Sequence, residues 1–388
     1  MIKIQDKKDC CGCSACVQVC PRKCITMEVD EEGFQYPYSN DYLCIDCHLC
    51  EKVCPVINQD QQRIPKKVYA AKNLDDNIRL ESSSGGLFTI IASEIIKEGG
   101  VVFGAKFNNA WEVVHDYIDR IDDLHLLRGS KYVQSIIGDA YSRAEKFLNE
   151  GRTVLFSGTP CQIAGLKRFL RKKYINLLTV DVICHGVPSP RLWNEYLDHM
   201  LLKNKIRGLQ KRDDISAITF RSKVTGWQCY SFQVQTKDGD IFTEIVDDNI
   251  YMQGFLNNLF LRPSCYSCPA KKGKSGSEYT LGDYWGVSAY HPEIYDDNGV
   301  SLLFAYGDES AERFVLSSCE IVNTKYEYSV KSNPSIEKNP EGYLRYRKLF
   351  WKLYKRKGLN AIPDVLKKLQ PTIFDKINYE IRRILSGL

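Results

Sequence analysis

Residues 10–21 read CCGCSACVQVCP and residues 44–55 read CIDCHLCEKVCP. Cys10, Cys13, Cys16 and Cys20 follow the spacing C-x2-C-x2-C-x3-C-P, and Cys44, Cys47, Cys50 and Cys54 repeat it 34 residues later. Three thiolates on one tight loop can face three corners of a cubane, while the fourth cysteine opens the next segment and reaches the other centre. That is the ligand rule of paired [4Fe-4S] clusters. The spacing predicts one cluster on Cys10, Cys13, Cys16 and Cys54 and a second on Cys44, Cys47, Cys50 and Cys20. Pro21 and Pro55 turn the chain away after each run.

Disulfides and zinc are the bland alternatives. The chain opens MIKIQDKKD with no apolar export segment, which argues against an oxidising compartment. Zinc sites pair their ligands rather than grouping three before a trailing Cys-Pro. Residues 1–58 are therefore read as a bacterial-type 2[4Fe-4S] ferredoxin module, too small to bury much core and held largely by its metal centres. Cys11 and Cys24 fall outside the spacing and are read as packing thiols.

The 388 residues leave room for further domains of the usual ~150 residues. With 44% hydrophobic and 26% charged residues the composition is that of a globular protein. No uncharged apolar run approaches the ~20 residues of a membrane span, so a cytoplasmic protein is expected. The formal charge of +5 is small, and no basic stripe interleaves with stacking aromatics, so nucleic acid is not an expected partner. Sixteen cysteines in such a chain argue for metal or redox work rather than cross-links.

Beyond the module, residues 59–67 are polar, contain Pro65 and read as a linker. From Val68 strands and helices alternate, the signature of a sheet covered by helices. The parts 68–150 and 151–340 carry this pattern, and between Ile215 and Ile245 turn signals such as Lys237-Asp238-Gly239-Asp240 predict an antiparallel section. The fold class expected is α+β or α/β: a ferredoxin module fused to a mixed α/β domain, with a helical tail over 341–388. That tail holds twelve Lys plus Arg against four Asp plus Glu. Ile373, Ile377, Ile381, Ile384 and Leu388 form one stripe beside Lys376, Arg382 and Arg383. The stripe suits docking on an anionic membrane or a partner, or packing on its own domain with a solvated basic face.

Three stretches of the α/β part fit a receiving site for electrons. Glu81-Ser82-Ser83-Ser84-Gly85-Gly86 precedes a helix, where backbone N–H groups bind phosphate and serines also serve as caps. Leu155-Phe156-Ser157-Gly158-Thr159-Pro160-Cys161-Gln162 and Val182-Ile183-Cys184-His185-Gly186 lie at the ends of successive strands, where open α/β sheets bind ligands. Cys161 and Cys184 from these loops, with the C-x2-C pair Cys265 and Cys268, are candidates for a third [4Fe-4S] cluster. A zinc site and separate catalytic or packing thiols remain open. His185 is the candidate proton donor, with a hydrogen bond inside its own turn as the alternative. Lys271, Lys272 and Lys274 with Gly273 and Gly276 form a basic loop suited to phosphate or to solvent. Cys229 and Cys319 are read as core residues.

SSSGGLFT, GSKYVQS, VLFSGTPCQIAGL, VDVICHGVPSP and LRPSCYSCPAKKGKSGSEYTLGDYWG, in this order, resemble the coenzyme F420 hydrogenase/dehydrogenase beta-subunit family from Val68 to the mid 340s. The resemblance implies a flavoprotein oxidoreductase with FAD, or FMN, and a [4Fe-4S] cluster in the α/β body. By motif it implies Ser82, Ser83, Ser84, Gly85, Gly86, Lys131, Thr159 and Gln162 near the flavin. Its members pass electrons between clusters and a deazaflavin or reduce other small molecules, and similar bacterial chains occur among surface-polysaccharide genes. The implied partners are an electron donor, such as a ferredoxin or a redox subunit, and a small-molecule acceptor. A non-catalytic electron-transfer subunit of a larger complex is the rival reading.

Overall fold

In the computed structural model of the chain, residues 1–202, 206, 209–307, 318–340 and 344–369 are described. The stripe from Ile373 to Leu388 lies outside them. The module carries one hairpin, β1 (Ile25–Val29) and β2 (Gln35–Ser39), paired antiparallel. Its turn is closed by Asp30, whose carboxylate accepts from the backbone N–H groups of Glu32 and Phe34. Each cysteine triplet ends in a single helical turn, Ala15–Gln18 and Leu49–Lys52.

The body is built on one sheet of eight strands. These are β3 (Lys67–Asn73), β4 (Val101–Phe107), β5 (Val113–Ile118), β6 (Val154–Gly158), β7 (Leu177–Val182), β11 (Tyr279–Asp283), β12 (Ser301–Ala305) and β13 (Cys319–Asn323), in the order β13-β3-β12-β11-β7-β6-β4-β5. Strands β4, β6, β7 and β11 are mutually parallel, and β5, β12 and β13 join antiparallel. The apolar runs Val101–Phe103 and Val154–Phe156 are buried throughout, as a sheet covered on both faces requires. Strand alternation sends Val102 and Leu155 toward the helix Leu87–Lys97. It sends Val101, Phe103, Val154 and Phe156 toward the helices Ala140–Asn149 and Pro160–Leu170. The two parts expected on either side of residue 150 share this sheet, because β4 pairs with β6.

The antiparallel section is a separate three-stranded sheet, β8 (Ile215–Ser222), β9 (Ser231–Thr236) and β10 (Ile241–Ile245), as its turn signals predicted. It shares an aromatic core, centred on Trp193, Phe220, Phe232 and Tyr251, with the helices Pro190–Leu202 and Ile250–Leu256.

Residues 59–67 are not a free linker. Arg63 donates from Nε to Gly273 O (3.0 Å) and from Nη2 to Ser277 O (2.6 Å), and lies 4.5 Å over the Tyr306 ring. Composition hides this, because the fastening is tertiary: Arg63 holds the stretch onto the 271–277 loop, Asp60 pairs with Arg168 (2.7 Å) and Lys66 N–H donates to Ala305 O (2.8 Å). The module docks as firmly. Glu32 in the hairpin turn pairs with Arg347 of the helix Leu344–Lys357, both largely buried. Arg191 donates to Glu31 O, and Ser142 donates its N–H and hydroxyl to the Gln18 amide oxygen. Among the described residues no helix is long and apolar enough to cross a membrane.

Candidate functional site

The repeated spacing folds into a repeated backbone. Ser14 (φ 60°) and His48 (φ 58°) start the two helical turns in the left-handed region, and Gly12 (φ 72°) and Asp46 (φ 54°) share it two residues earlier. Holding a non-glycine residue there costs about 1–2 kcal/mol. Such strain, placed inside both thiol triplets, is the mark of a loop shaped for a ligand.

Cys20, Cys44, Cys47 and Cys50 line one hollow at the surface of the module. Cys24 is buried in the module's core, as expected of a packing thiol, and also stands in the wall of this hollow with its sulfur 3.4 Å from that of Cys20. Cys47 is exposed, and Tyr42, Leu43 and Ile45 beside it are exposed apolar side chains. The other predicted set is inward. Burial, and then the charges of Cys10, Cys54 and Cys50, push the Cys16 thiol far up. Cys54 is raised in the same way by burial and by Cys10 and Cys50, so the members of the inner set are close neighbours.

The inner set faces the body. The helix Pro160–Leu170 passes Cys13 at Gly165, and Cys11 reaches across to Cys161, their interaction raising the Cys161 thiol. Arg262, only 1% exposed, threads the same junction. It donates from Nε to Cys10 O (2.7 Å), from Nη1 to Gln134 Oε1 (3.0 Å) and from Nη2 to Gln35 O (2.8 Å). Nη2 also lies 3.6 Å from Cys10 Sγ. Gly12 makes room for it, since a β-carbon there would fall 2.7 Å from Arg262 Nη1.

The dispersed cysteines converge. Cys161 at the start of its helix, Cys184 just beyond β7, and Cys265 and Cys268 on the Pro263–Ser267 turn all line a second hollow, with Cys11 of the module in the same wall. Burial pushes Cys184 well up, Cys265 up to about 12 and Cys268 up to about 11. Thiols this far from water give up their protons chiefly in exchange for a metal centre. Among the described residues no group of three or more His, Cys, Asp or Glu side chains is arranged to hold a metal ion, so the sulfurs ring hollows instead of meeting at a point. Neither Cys11 nor Arg262 carries a spacing signal in the sequence, because each is brought in by docking.

His185 lines this hollow. Its Nε2 lies 2.6 Å from Asn258 Oδ1 and its ring meets Phe255 edge-on, partners outside the turn bond that is the alternative to its role as proton donor. Lys271, expected to be free for phosphate, donates instead to Cys184 O (2.7 Å) and Ser335 O (2.6 Å) and is buried against the hollow.

The remaining candidates gather at the same carboxyl edge of the sheet. Ser83 Oγ accepts from Ser130 N–H (2.7 Å), Ser84 donates to Val300 O (3.0 Å) and Ser82 donates to Ile78 O (2.7 Å). Gly85 N–H donates to Ser301 Oγ (2.9 Å), and Gly86 starts the helix Leu87–Lys97 at φ 82°. Lys131, next to Ser130, donates to Arg128 O and Gly129 O, and loss of hydration lowers its pKa to about 7. Thr159 and Gln162 form a capping box, and Gln162 Nε2 donates to Ser135 Oγ (2.9 Å). Ser135 in turn meets His115 Nδ1 (2.8 Å), a buried imidazole that sequence reading missed and that desolvation holds at about 4. A neighbouring cation without a carboxylate among its bonded partners, together with a helix N-terminus, suits a phosphate.

A docked two-site thiol module on an α/β body defines a ferredoxin-type iron–sulfur protein. Residues 9–58 match the 4Fe-4S dicluster domain. Residues 151–316 match the C-terminal part of the coenzyme F420 hydrogenase/dehydrogenase beta subunit, so the chain joins an N-terminal two-cluster domain to a segment of that family.

The chain is 35% identical over 74 residues to an uncharacterised ferredoxin of Methanocaldococcus jannaschii, covering 19% of this chain and 88% of that protein. It is 40% identical over 65 residues to the ferredoxin 7Fe of Hydrogenibacillus schlegelii, covering 16% and 77%. A 55-residue stretch is 40% identical to NADH-quinone oxidoreductase subunit I 2 of Geobacter metallireducens, covering 13% of this chain and 42% of that one. A chain of the F420-reducing [NiFe] hydrogenase complex from Methanosarcina barkeri matches over 76% of this chain and 94% of its own, with a TM-score of 0.47 at 14% identity. A likeness that distant decides nothing about this chain.

Proposed function

We propose that the chain is an iron–sulfur flavoprotein that passes electrons between a redox partner and a small molecule. Cys20, Cys44, Cys47 and Cys50 would hold an outer [4Fe-4S] cluster, and Cys10, Cys13, Cys16 and Cys54 an inner one. Cys161, Cys184, Cys265 and Cys268 would hold a third at the carboxyl edge of the sheet. Clusters of this kind supply one-electron transfer when bound. The observation that carries the reading is the second hollow, where four thiols from three loops converge beside Cys11 of the module. An electron partner would meet the outer site, where Cys47 is exposed.

A flavin bound against Ser82–Gly86 and Lys131 would supply the exchange between one-electron and two-electron chemistry. Lys131 would offer its cation to a phosphate, and Gln162, fixed by Ser135, would orient one edge of the ring. His185, held by Asn258, would close the wall of the cysteine hollow. The family to which residues 151–316 belong makes coenzyme F420 the first substrate to try, with a metabolite of a polysaccharide pathway second.

Iron, acid-labile sulfide and flavin measured on protein purified without oxygen test this reading. Three clusters and one flavin predict about twelve irons per chain, and Cys161→Ser should remove about four of them. About eight irons and no flavin would overturn it and leave an electron-transfer module serving another subunit.

A further inference from the structure

Arg262 is a buried cation, and among the described residues no carboxylate forms a salt bridge with it. A buried charge without a counter-charge is expensive and is normally paired. Its polar partners are two carbonyl oxygens, one amide oxygen and the sulfur of Cys10, and the ring of Tyr36 lies 4.3 Å away. The same residue lines the hollow of Cys161, Cys184, Cys265 and Cys268 together with Cys11. The groups within its reach that would carry negative charge with a cluster bound are therefore sulfurs of two different cysteine sets.

We infer that Arg262 is an electrostatic bridge between module and body, a guanidinium shared by the inner cluster site and the cysteine hollow that raises the reduction potential of both. The inference rests on the cluster reading above. Each electron that enters a cluster adds negative charge, and hydrogen bonds and charge near the sulfurs are established determinants of cluster potential. A fixed cation in a water-excluded junction stabilises the reduced form more than the oxidised one. The outer site, lined by Cys20, Cys44, Cys47 and Cys50, does not include Arg262 in its wall. It lies beyond this effect. Arg262 thus makes the inner site and the hollow better electron acceptors than their burial alone would allow, and draws electrons inward from the surface.

The test is a reductive titration with dithionite as the electron donor, followed by electron paramagnetic resonance, on wild-type protein, Arg262→Lys and Arg262→Gln. In Arg262→Gln two of the three cluster signals should be about tenfold less reduced at a fixed potential, which is about 59 mV for one electron. The outer signal should stay in place, and Arg262→Lys should fall between. Potentials that do not move, or that move equally for every cluster, overturn the inference.

Iron content separates this failure from failure of the cluster reading. Wild-type protein without iron for three clusters sinks that reading, whereas full iron with unmoved potentials sinks only the role of Arg262. Should the variants lose their iron, wild-type protein labelled with isotopic nitrogen in arginine decides the matter. Hyperfine coupling from a guanidinium nitrogen to a reduced cluster is expected, and its absence overturns the inference.

Discussion

Gly165 lies so near Cys13 that a β-carbon added to the glycine would sit 2.9 Å from both the Cβ and the Sγ of the cysteine. The helix of the body and the inner thiol set of the module are therefore in direct contact, with no side chain between them. Gly165→Ala should cost about 1–3 kcal/mol in overpacking, offset by up to about 1 kcal/mol of helix propensity. The expected result is a lower Tm and loss of iron from the inner site, while the outer site keeps its own. Wild-type iron content in the variant would contradict the contact.

Glu32 and Arg347 are an ion pair with side chains 13% and 10% exposed. Removing one partner leaves a buried charge without its complement, which costs about 3–5 kcal/mol. Glu32→Gln should therefore loosen the module from the body, read as faster proteolysis near residues 59–67. Glu32→Leu combined with Arg347→Met should recover most of the loss. A double variant as weak as the single one would show that the pair is not what holds the two together.

Asp181 and His115 give opposite pH dependence. Burial raises Asp181 to about 6, above its ordinary 3.8, so its ionised form destabilises the fold above pH 6 and the penalty fades as the pH falls toward 4. Burial lowers His115 from 6.5 to about 4, so its neutral form is favoured, and stability is lost as the pH falls from 6.5 through 4. Each shift corresponds to about 3 kcal/mol. Asp181→Asn should stabilise the protein at pH 7 and lose that advantage near pH 4. His115→Gln should flatten the acid limb of the stability curve. Denaturant midpoints across pH 4–8 measure both.

Lys131 is half-buried, and desolvation carries its pKa down from 10.5 to about 7. Its charge costs stability increasingly as the pH falls from 10.5 through 7, unless an anion is bound beside it. Lys131→Met should therefore keep or raise the Tm of the protein without ligand and, on the proposed flavin reading, weaken flavin retention about tenfold, as loss of a charge-assisted hydrogen bond would. A variant that keeps its flavin as tightly as the wild type would remove Lys131 from the site.

The module was legible because its ligands are contiguous: the spacing of Cys10 to Cys20 and of Cys44 to Cys54 is itself the geometry. The cysteines at 161, 184, 265 and 268 were legible only through topology, since ends of parallel strands meet at one edge. Cys11, Cys24, Arg262 and His115 were not legible. Their environment comes from docking and tertiary pairing, which leave no periodic trace along the chain. The stretch 59–67 makes the same point, since the contacts of Asp60, Arg63 and Lys66 with the body keep that polar stretch from hanging free.

The position of Cys11 also bears on descent. A body inherited without its ferredoxin segment would have a breach in the wall of its cysteine hollow, and a ferredoxin grafted in front would mend it only if it brought a thiol at the place of Cys11 and a glycine at that of Gly12 to seat Arg262. The two segments can be separated in a gene but not exchanged freely, so lineages carrying this fusion should have inherited both halves as one unit.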